Sequence, residues 1–165
     1  MKSVLAVMGL VALVSWGTLA RAGIADSPLP VLVAGQSTFH VYSVSGAGGT
    51  VITGCATYFS CTSTDTVPMQ VGIEVFGRAG GGPANDATAT SLSVPPGGSV
   101  MFGTGSAVAI PIDSSLGTGV VRGSARILST SKKLVCTAFL ADSGNAPPTS
   151  MVYLTIVAKT KQKGD

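Results

Sequence analysis

The stretch Met69-Gln70-Val71-Gly72-Ile73-Glu74-Val75 decides the fold of this chain. Large apolar side chains alternate in it with smaller or polar ones, and this period of two is typical of a half-buried β-strand. We expect the four odd-numbered residues to face the core, and Gln70 and Glu74 to face solvent. The stretch therefore predicts a strand with one face packed against a hydrophobic core.

Further strand-like segments surround this stretch and are separated by turns rich in Gly, Pro and Asp. Strands at a spacing of roughly 8–12 residues with frequent turn signals indicate an antiparallel sandwich or barrel. No helix of normal length is predicted after residue 22. The other predicted strands are 36–45, 50–62, 91–94, 99–102, 121–128, 134–140 and 151–157, with 91–94 and 99–102 forming a hairpin or a corner.

Residues 1–22 have the layout of a signal peptide. Lys2 gives a positive start, residues 4–13 are an almost unbroken apolar run, and Ala20-Arg21-Ala22 has the small-x-small form of a cleavage site. An uncleaved membrane anchor is disfavoured, because a membrane-spanning helix needs about 20 apolar residues and the unbroken apolar run here is shorter. We therefore expect a signal peptide (1–22), an N-terminal extension (23–35), a sandwich domain (36–158) and a basic tail (159–165).

The composition limits the classes of partner. The chain has 10 basic and 7 acidic residues, and two of the basic residues, Lys2 and Arg21, lie in the predicted signal peptide. The remaining net charge is close to zero, which removes any whole-domain argument for binding nucleic acid. We expect an extracytoplasmic protein, periplasmic or secreted, that meets the membrane only transiently during export.

Four short motifs resemble a known class of domain. They are Cys61-Thr62-Ser63-Thr64, Val71-Gly72-Ile73-Glu74-Val75-Phe76, Pro95-Pro96-Gly97-Gly98 and Gly123-Ser124-Ala125-Arg126-Ile127. Together they resemble the immunoglobulin-like β-sandwich modules of exported bacterial proteins. The resemblance implies an all-β fold, a single antiparallel immunoglobulin-like sandwich of about seven to nine strands, and carries over no functional residues. The core Trp of antibody-type domains is missing, because Trp16 lies in the predicted signal peptide.

Cys55, Cys61 and Cys136 are an odd set, so one of them must lie outside any intramolecular disulfide. On one extended strand, Cys55 and Cys61 would be about 20 Å apart, which is too far for a disulfide. Loop-closure entropy does not distinguish Cys55 from Cys61 as the partner of Cys136. The resemblance favours Cys61–Cys136, as a bond that joins two sheets across the core. The remaining alternative is that all three cysteines are buried thiols.

No arrangement of catalytic or metal-binding residues stands out. His40 is the only histidine and Glu74 the only glutamate, and no Gly-x-Ser-x-Gly motif supplies a nucleophile. The cysteines lack the Cys-x-x-Cys spacing of a zinc site. The glycine-rich stretch 78–85 is predicted to be a loop and lacks the Lys-Ser/Thr of a phosphate-binding loop. The sequence therefore predicts a protein that is not an enzyme, with no cofactor and no metal.

Arg122, Arg126, Lys132 and Lys133 are the candidates for a basic surface patch. The two arginines are four residues apart, and residues at this spacing share a face of a strand. We interpret the four charges as protection of a sheet against edge-to-edge association. An anionic-ligand site is the alternative.

The predicted function is that of a non-catalytic exported surface or envelope-associated module, which acts through binding or structural contacts. Its partner is unspecified, and another envelope or extracellular protein or a polysaccharide is the expected class. The alternative is a subunit of a pilus-like polymer assembled by strand addition, with 151–157 as an exchanged strand or 23–35 as a donor arm. A small hydrolase with a site built from loops is a third alternative.

Overall fold

The computed structural model describes residues 23–49, 54–105 and 110–159. The predicted signal peptide and residues 160–165 of the predicted tail lie outside the described residues. Within the described ranges the chain forms ten strands and one short helix. In chain order they are β1 (Phe39–Ala47), β2 (Cys55–Ser63), β3 (Met69–Gly77), α1 (Ala87–Thr90), β4 (Leu92–Val94), β5 (Ser99–Gly103), β6 (Ser114–Ser115), β7 (Gly123–Ser129), β8 (Leu134–Asp142), β9 (Met151–Tyr153) and β10 (Ile156–Ala158).

The strands form two five-stranded sheets that pack face to face around one core. Sheet A has the order β10-β1-β7-β3-β4, and sheet B has the order β6-β5-β2-β8-β9. All paired neighbours are antiparallel except β5 and β6. The core joins side chains of both sheets, such as Ile73 and Ile127 of sheet A with Phe59 and Phe102 of sheet B. The predicted all-β class and two-layer arrangement are confirmed.

The inner face of β3 is as predicted, but its outer face is not. Met69, Val71, Ile73 and Val75 are all buried in the core between the sheets. Glu74 was expected to face solvent and is only 3% exposed. That prediction is wrong because the outer face of sheet A is itself covered.

The N-terminal segment covers part of the outer face of sheet A, and Arg126 binds it there. Arg126 lies on β7 directly opposite Glu74, is 1% exposed, and donates from Nε to the Glu74 carboxylate. Its Nη1 donates to the carbonyl oxygens of Ile24 at 3.2 Å and Ser27 at 2.8 Å, and its Nη2 donates to that of Pro28 at 2.8 Å. One side chain therefore fastens the N-terminal segment across the sheet.

Leu32 of segment 23–35 also lies against sheet A, although the segment forms no strand. Leu32 is 8% exposed and forms a small apolar cluster with Ala87 of α1 and Leu128 of β7. A segment held by both hydrogen bonds and apolar burial is part of the folded domain. Its use as a donor arm would require these contacts to break.

The predicted strand 151–157 is two strands in different sheets. β9 pairs with β8 in sheet B, whereas β10 pairs with β1 in sheet A. Between them the Leu154 amide donates to the Ala138 carbonyl at 2.9 Å, and the Ser45 amide donates to the Thr155 carbonyl at 3.2 Å. The chain thus crosses from one sheet to the other while the backbone stays hydrogen-bonded.

The segments 91–94 and 99–102 form a corner, because β4 pairs with β3 in sheet A and β5 pairs with β2 in sheet B. The stretch 78–85 is a loop, as predicted. It is followed by the four-residue helix α1, whose first turn is capped by Asp86: the carboxylate accepts from the Thr88 amide at 2.8 Å.

The Cys61–Cys136 disulfide is present, and its predicted pairing is confirmed. Its predicted position across the two sheets is wrong, since β2 and β8 are neighbours in sheet B and the two cysteines are directly opposite each other. The Cα atoms are 4.2 Å apart, close to the ~4.5 Å of a non-hydrogen-bonded antiparallel pair. β2 continues past Cys61 to Ser63.

The buried ion pair yields a prediction about stability. Arg126→Met leaves the Glu74 carboxylate buried without its cation, and we expect the free energy of unfolding to fall by about 3–5 kcal/mol. Urea denaturation at neutral pH measures this loss. Arg122→Met is the matched control, because Arg122 is exposed and its replacement should change stability by less than about 0.5 kcal/mol. Equal losses in both variants would contradict the assigned role of Arg126.

The disulfide yields a second prediction. It closes a separation of 75 residues, for which the chain-entropy model gives about 4 kcal/mol of stabilisation. We expect the Cys61→Ala/Cys136→Ala variant to lose roughly that amount in urea denaturation. A non-reducing peptide map should show the Cys61–Cys136 link in the wild type and unchanged in Cys55→Ala. A link that contains Cys55 would refute the register of β2 against β8.

Candidate binding surface

The densest group of exposed apolar side chains lies on one side of the sandwich. Met151, Val152, Tyr153 and Val157 are 51%, 60%, 73% and 58% exposed. β9 is the edge strand of sheet B and β10 that of sheet A, and the chain passes directly from one to the other. These four residues are named here the β9–β10 edge. The other large exposed apolar residues in the described part of the chain are spread over four separate segments.

An aromatic row connects this edge to the interior. Tyr58 on β2, Phe139 on β8 and Tyr153 on β9 are directly opposite one another in register. The Tyr58 and Phe139 rings are stacked with centroids 5.3 Å apart, and Tyr153 meets Phe139 edge-on at 6.3 Å. Exposure rises along the row from 0% to 9% to 73%. An aromatic pair in this geometry adds about 0.5–1.5 kcal/mol, so the contact with Phe139 favours the observed position of the Tyr153 ring.

The inner end of the aromatic row, at Tyr58, is not accessible to solvent. Tyr58 belongs to an apolar cluster on the outer face of sheet B, against which Met101, Ile110 and Ile112 pack. Its hydroxyl is buried and has no hydrogen-bond partner among the described residues. Burial, and secondarily the charge of Asp142, raise the pKa of the Tyr58 hydroxyl. The outer end of the row at Tyr153 is therefore the only one of its three rings that is accessible to a partner.

The loop before β9 fixes where the edge begins. Asp142 accepts from the Thr149 amide at 2.6 Å, the Thr149 hydroxyl at 2.5 Å and the Ser150 amide at 3.1 Å. Hydrogen bonding, with the Thr149 hydroxyl as the largest contribution, lowers the pKa of the Asp142 carboxyl. An ionised carboxylate at the end of β8 thus positions the first residues of β9.

The edge lacks the usual protection against further strand pairing. Proteins commonly protect an edge strand with charges, Pro or a bulge, because its outer amides and carbonyls are open to pairing. Residues 151–158 contain no charge and no Pro, and the first lysine follows at 159. The strand at 151–157 was predicted from the sequence, whereas the exposure of its side chains was not. The run of eight uncharged residues was the feature of the sequence that could have indicated this exposed edge.

The predicted basic patch does not form. Arg126 is buried against Glu74, so its assignment to the surface is wrong. Arg122 precedes β7, whereas Lys132 and Lys133 follow it, so the whole length of that strand separates them. Lys132 lies 4.8 Å from the centroid of the Phe39 ring, and Lys133 pairs with Asp65.

His40 has a serine beside it but no carboxylate. Its Nε2 lies 3.0 Å from the Ser43 hydroxyl and 3.1 Å from the Tyr42 carbonyl oxygen. Burial, followed by the charges of Lys159 and Arg126, lowers the pKa of His40 to about 4. A serine–histidine pair that hydrolyses an acyl group needs a third residue, such as an aspartate, to orient the imidazole. Among the described residues, no carboxylate is hydrogen-bonded to His40.

Comparison of the chain with models of protein families, with characterised proteins and with solved structures finds no match. Within the described ranges, no cluster of three or more His, Cys, Asp or Glu side chains could hold a metal ion. In the same ranges no helix has the length and apolar character to cross a membrane.

The environment of His40 yields a pH prediction. Its pKa is lowered from 6.5 to about 4 in the folded protein, so the unfolded chain binds the proton more readily between these values. Folding stability should therefore fall as the pH is lowered from about 6.5 to 4. Urea midpoints measured across this range should depend less on pH in His40→Gln. An NMR titration of the imidazole with a midpoint near 6.5 would contradict the assignment.

Proposed function

We propose that this protein is a non-catalytic extracytoplasmic β-sandwich module that binds an extended segment of another envelope or extracellular protein along the β9–β10 edge. The observation that carries this proposal is an uncharged edge strand whose three side chains are all more than half exposed. A partner strand would supply the hydrogen bonds that the outer side of β9 lacks.

Strand addition fits the chemistry of this edge. In this mode of recognition main-chain hydrogen bonds give affinity, and side-chain contacts on alternate residues give specificity. Tyr153 is held by Phe139 and presents a rigid amphipathic ring, which is the type of residue that anchors protein interfaces. Burial of Met151, Val152 and Val157 adds a favourable hydrophobic contribution of about 25 cal/mol per Å² of apolar surface.

The extracytoplasmic assignment rests on three supports. Residues 1–22 have the layout of a signal peptide, and a disulfide is typical of oxidising compartments. The third support is the resemblance of four short sequence motifs to immunoglobulin-like modules of exported bacterial proteins. The chain departs from that class in that the disulfide joins neighbouring strands of one sheet.

A pilus-like polymer remains the second candidate, because the same edge can pair with a second copy. The N-terminal segment is a poor donor arm, since Arg126 and Leu32 hold it on sheet A. Polymer growth would therefore proceed through residues 151–157. In this candidate the partner strand comes from an identical chain.

Photo-crosslinking tests the proposed surface. Benzoylphenylalanine placed at position 152 of the exported protein should form adducts with an envelope or extracellular protein. Adding Tyr153→Lys should reduce their yield by roughly tenfold or more, because an anchor residue is lost and a charge protects the edge. The matched control carries the crosslinker at position 67, where Val67 is similarly exposed at 57% but lies in a loop.

The outcomes separate the two candidates. Adducts with a second copy, together with concentration-dependent ladders in gel filtration, would favour the polymer. Equal adducts at positions 67 and 152, or adducts insensitive to Tyr153→Lys, would refute a binding role for the edge. Recovery of the protein only from the cytoplasm, with residues 1–22 intact by mass, would refute the extracytoplasmic assignment.

A further inference from the structure

A groove on the outer face of sheet A, at the end remote from Lys132 and Lys133, carries a second inference. It is shallow and open to solvent, with a volume of about 540 Å³, and lies where the ends of β1, β3 and β7 meet segment 23–35. We name it the arginine groove. Its lining residues are Gly23, Ile24, Ser45, Gly46, Phe76, Gly77, Arg78, Gly80, Arg122, Gly123 and Ser124.

The charge of the groove is positive and uncompensated. Arg78 and Arg122 both line it, both are exposed, and among the described residues neither forms an ion pair with a carboxylate. No Asp or Glu belongs to the lining. The neighbouring Arg126 adds no free charge, because Glu74 neutralises it. Removal of residues 1–22 would add the α-amino group of Gly23, which is cationic below a pKa of about 8.

The floor of the groove combines apolar surface with hydroxyl groups. Ser45 and Ser124 are opposite each other in register, and Phe76 is opposite Ser124 on the other side. Gly123 allows β7 and β3 to lie close together beside the groove, because a Cβ there would lie 1.8 Å from the Phe76 carbonyl oxygen. The groove thus offers a small polar molecule two guanidinium groups, an aromatic ring and two hydroxyl groups.

We infer that the arginine groove binds an oxyanion group, such as a carboxylate or a phosphate, carried by a small polar molecule. Guanidinium groups present paired N–H donors that match the two oxygens of such a group. The Ser45 and Ser124 hydroxyls supply further hydrogen bonds to the rest of the ligand. The site differs from a phosphate-binding loop, because side chains rather than a helix N-terminus provide the positive charge.

This inference is independent of the proposed strand-addition surface. The groove lies on the outer face of sheet A, whereas Met151, Val152 and Tyr153 form an edge of sheet B. Tyr153→Lys should therefore leave oxyanion binding unchanged, so failure of one proposal is distinguishable from failure of the other.

NMR titration of the exported protein tests the inference. The probes are sodium galacturonate, inorganic phosphate and, as an uncharged match for the first, galactose. We expect galacturonate or phosphate to shift the amide signals of Gly46, Gly77 and Gly123, and galactose to leave them unchanged. Binding of galacturonate alone identifies an acidic sugar as the ligand class, and binding of phosphate identifies a free or esterified phosphate. Added NaCl should weaken either response.

Charge-removing variants assign the response to the two arginines. Arg78→Gln and Arg122→Gln should each weaken binding by about tenfold or more, since each removes charged hydrogen bonds to the anion. Lys132→Gln removes the same charge elsewhere on the protein and should have no effect. Amide signals that do not shift with either anion, or that shift equally with galactose, would overturn the inference. An equal loss in Lys132→Gln would overturn it as well.

Discussion

The buried guanidinium of Arg126 is the constraint on which the arrangement of the rest of the structure depends. A charge removed from water must be paired and must have its N–H groups hydrogen-bonded. Glu74 provides the opposite charge from the neighbouring strand, and the carbonyl groups of residues 24, 27 and 28 accept three further hydrogen bonds. Satisfying one side chain thus requires the N-terminal segment to lie across sheet A.

This requirement makes the surfaces of the sandwich unequal. The outer face of sheet A is covered by segment 23–35, and that of sheet B by Met101, Ile110 and Ile112 around Tyr58. The side formed by β9 and β10 remains open and uncharged. The arginine groove is left at the place where segment 23–35 begins, between Arg78 and Arg122. The two proposed binding sites are therefore regions that the internal packing does not cover.

The features that could be predicted from the sequence are those that depend only on the local pattern of apolar and polar residues. Alternation in 69–75 placed the inner face of β3 correctly, because a period of two assigns side chains to opposite faces of a strand. It placed Glu74 wrongly, because polarity alone does not show that an arginine four strands later in the chain will cover it. Arg126 was assigned to the surface because it is four residues from Arg122. That prediction failed for the same reason, since the sequence does not show what packs over the residue. Exposure of Tyr153 was missed, since it depends on β9 being an edge strand.

By itself the sequence determined the all-β class and most strand positions, since turn residues and alternation are local properties. It left Cys55 and Cys61 both open as partners of Cys136, and the register of β2 against β8 decided for Cys61. Only the tertiary structure decided that the disulfide joins neighbours in one sheet, that 151–157 divides between two sheets, and that Arg78 rather than Arg126 accompanies Arg122. These features depend on strand register and sheet order. Both are set by contacts between residues far apart in the chain, which no local pattern records.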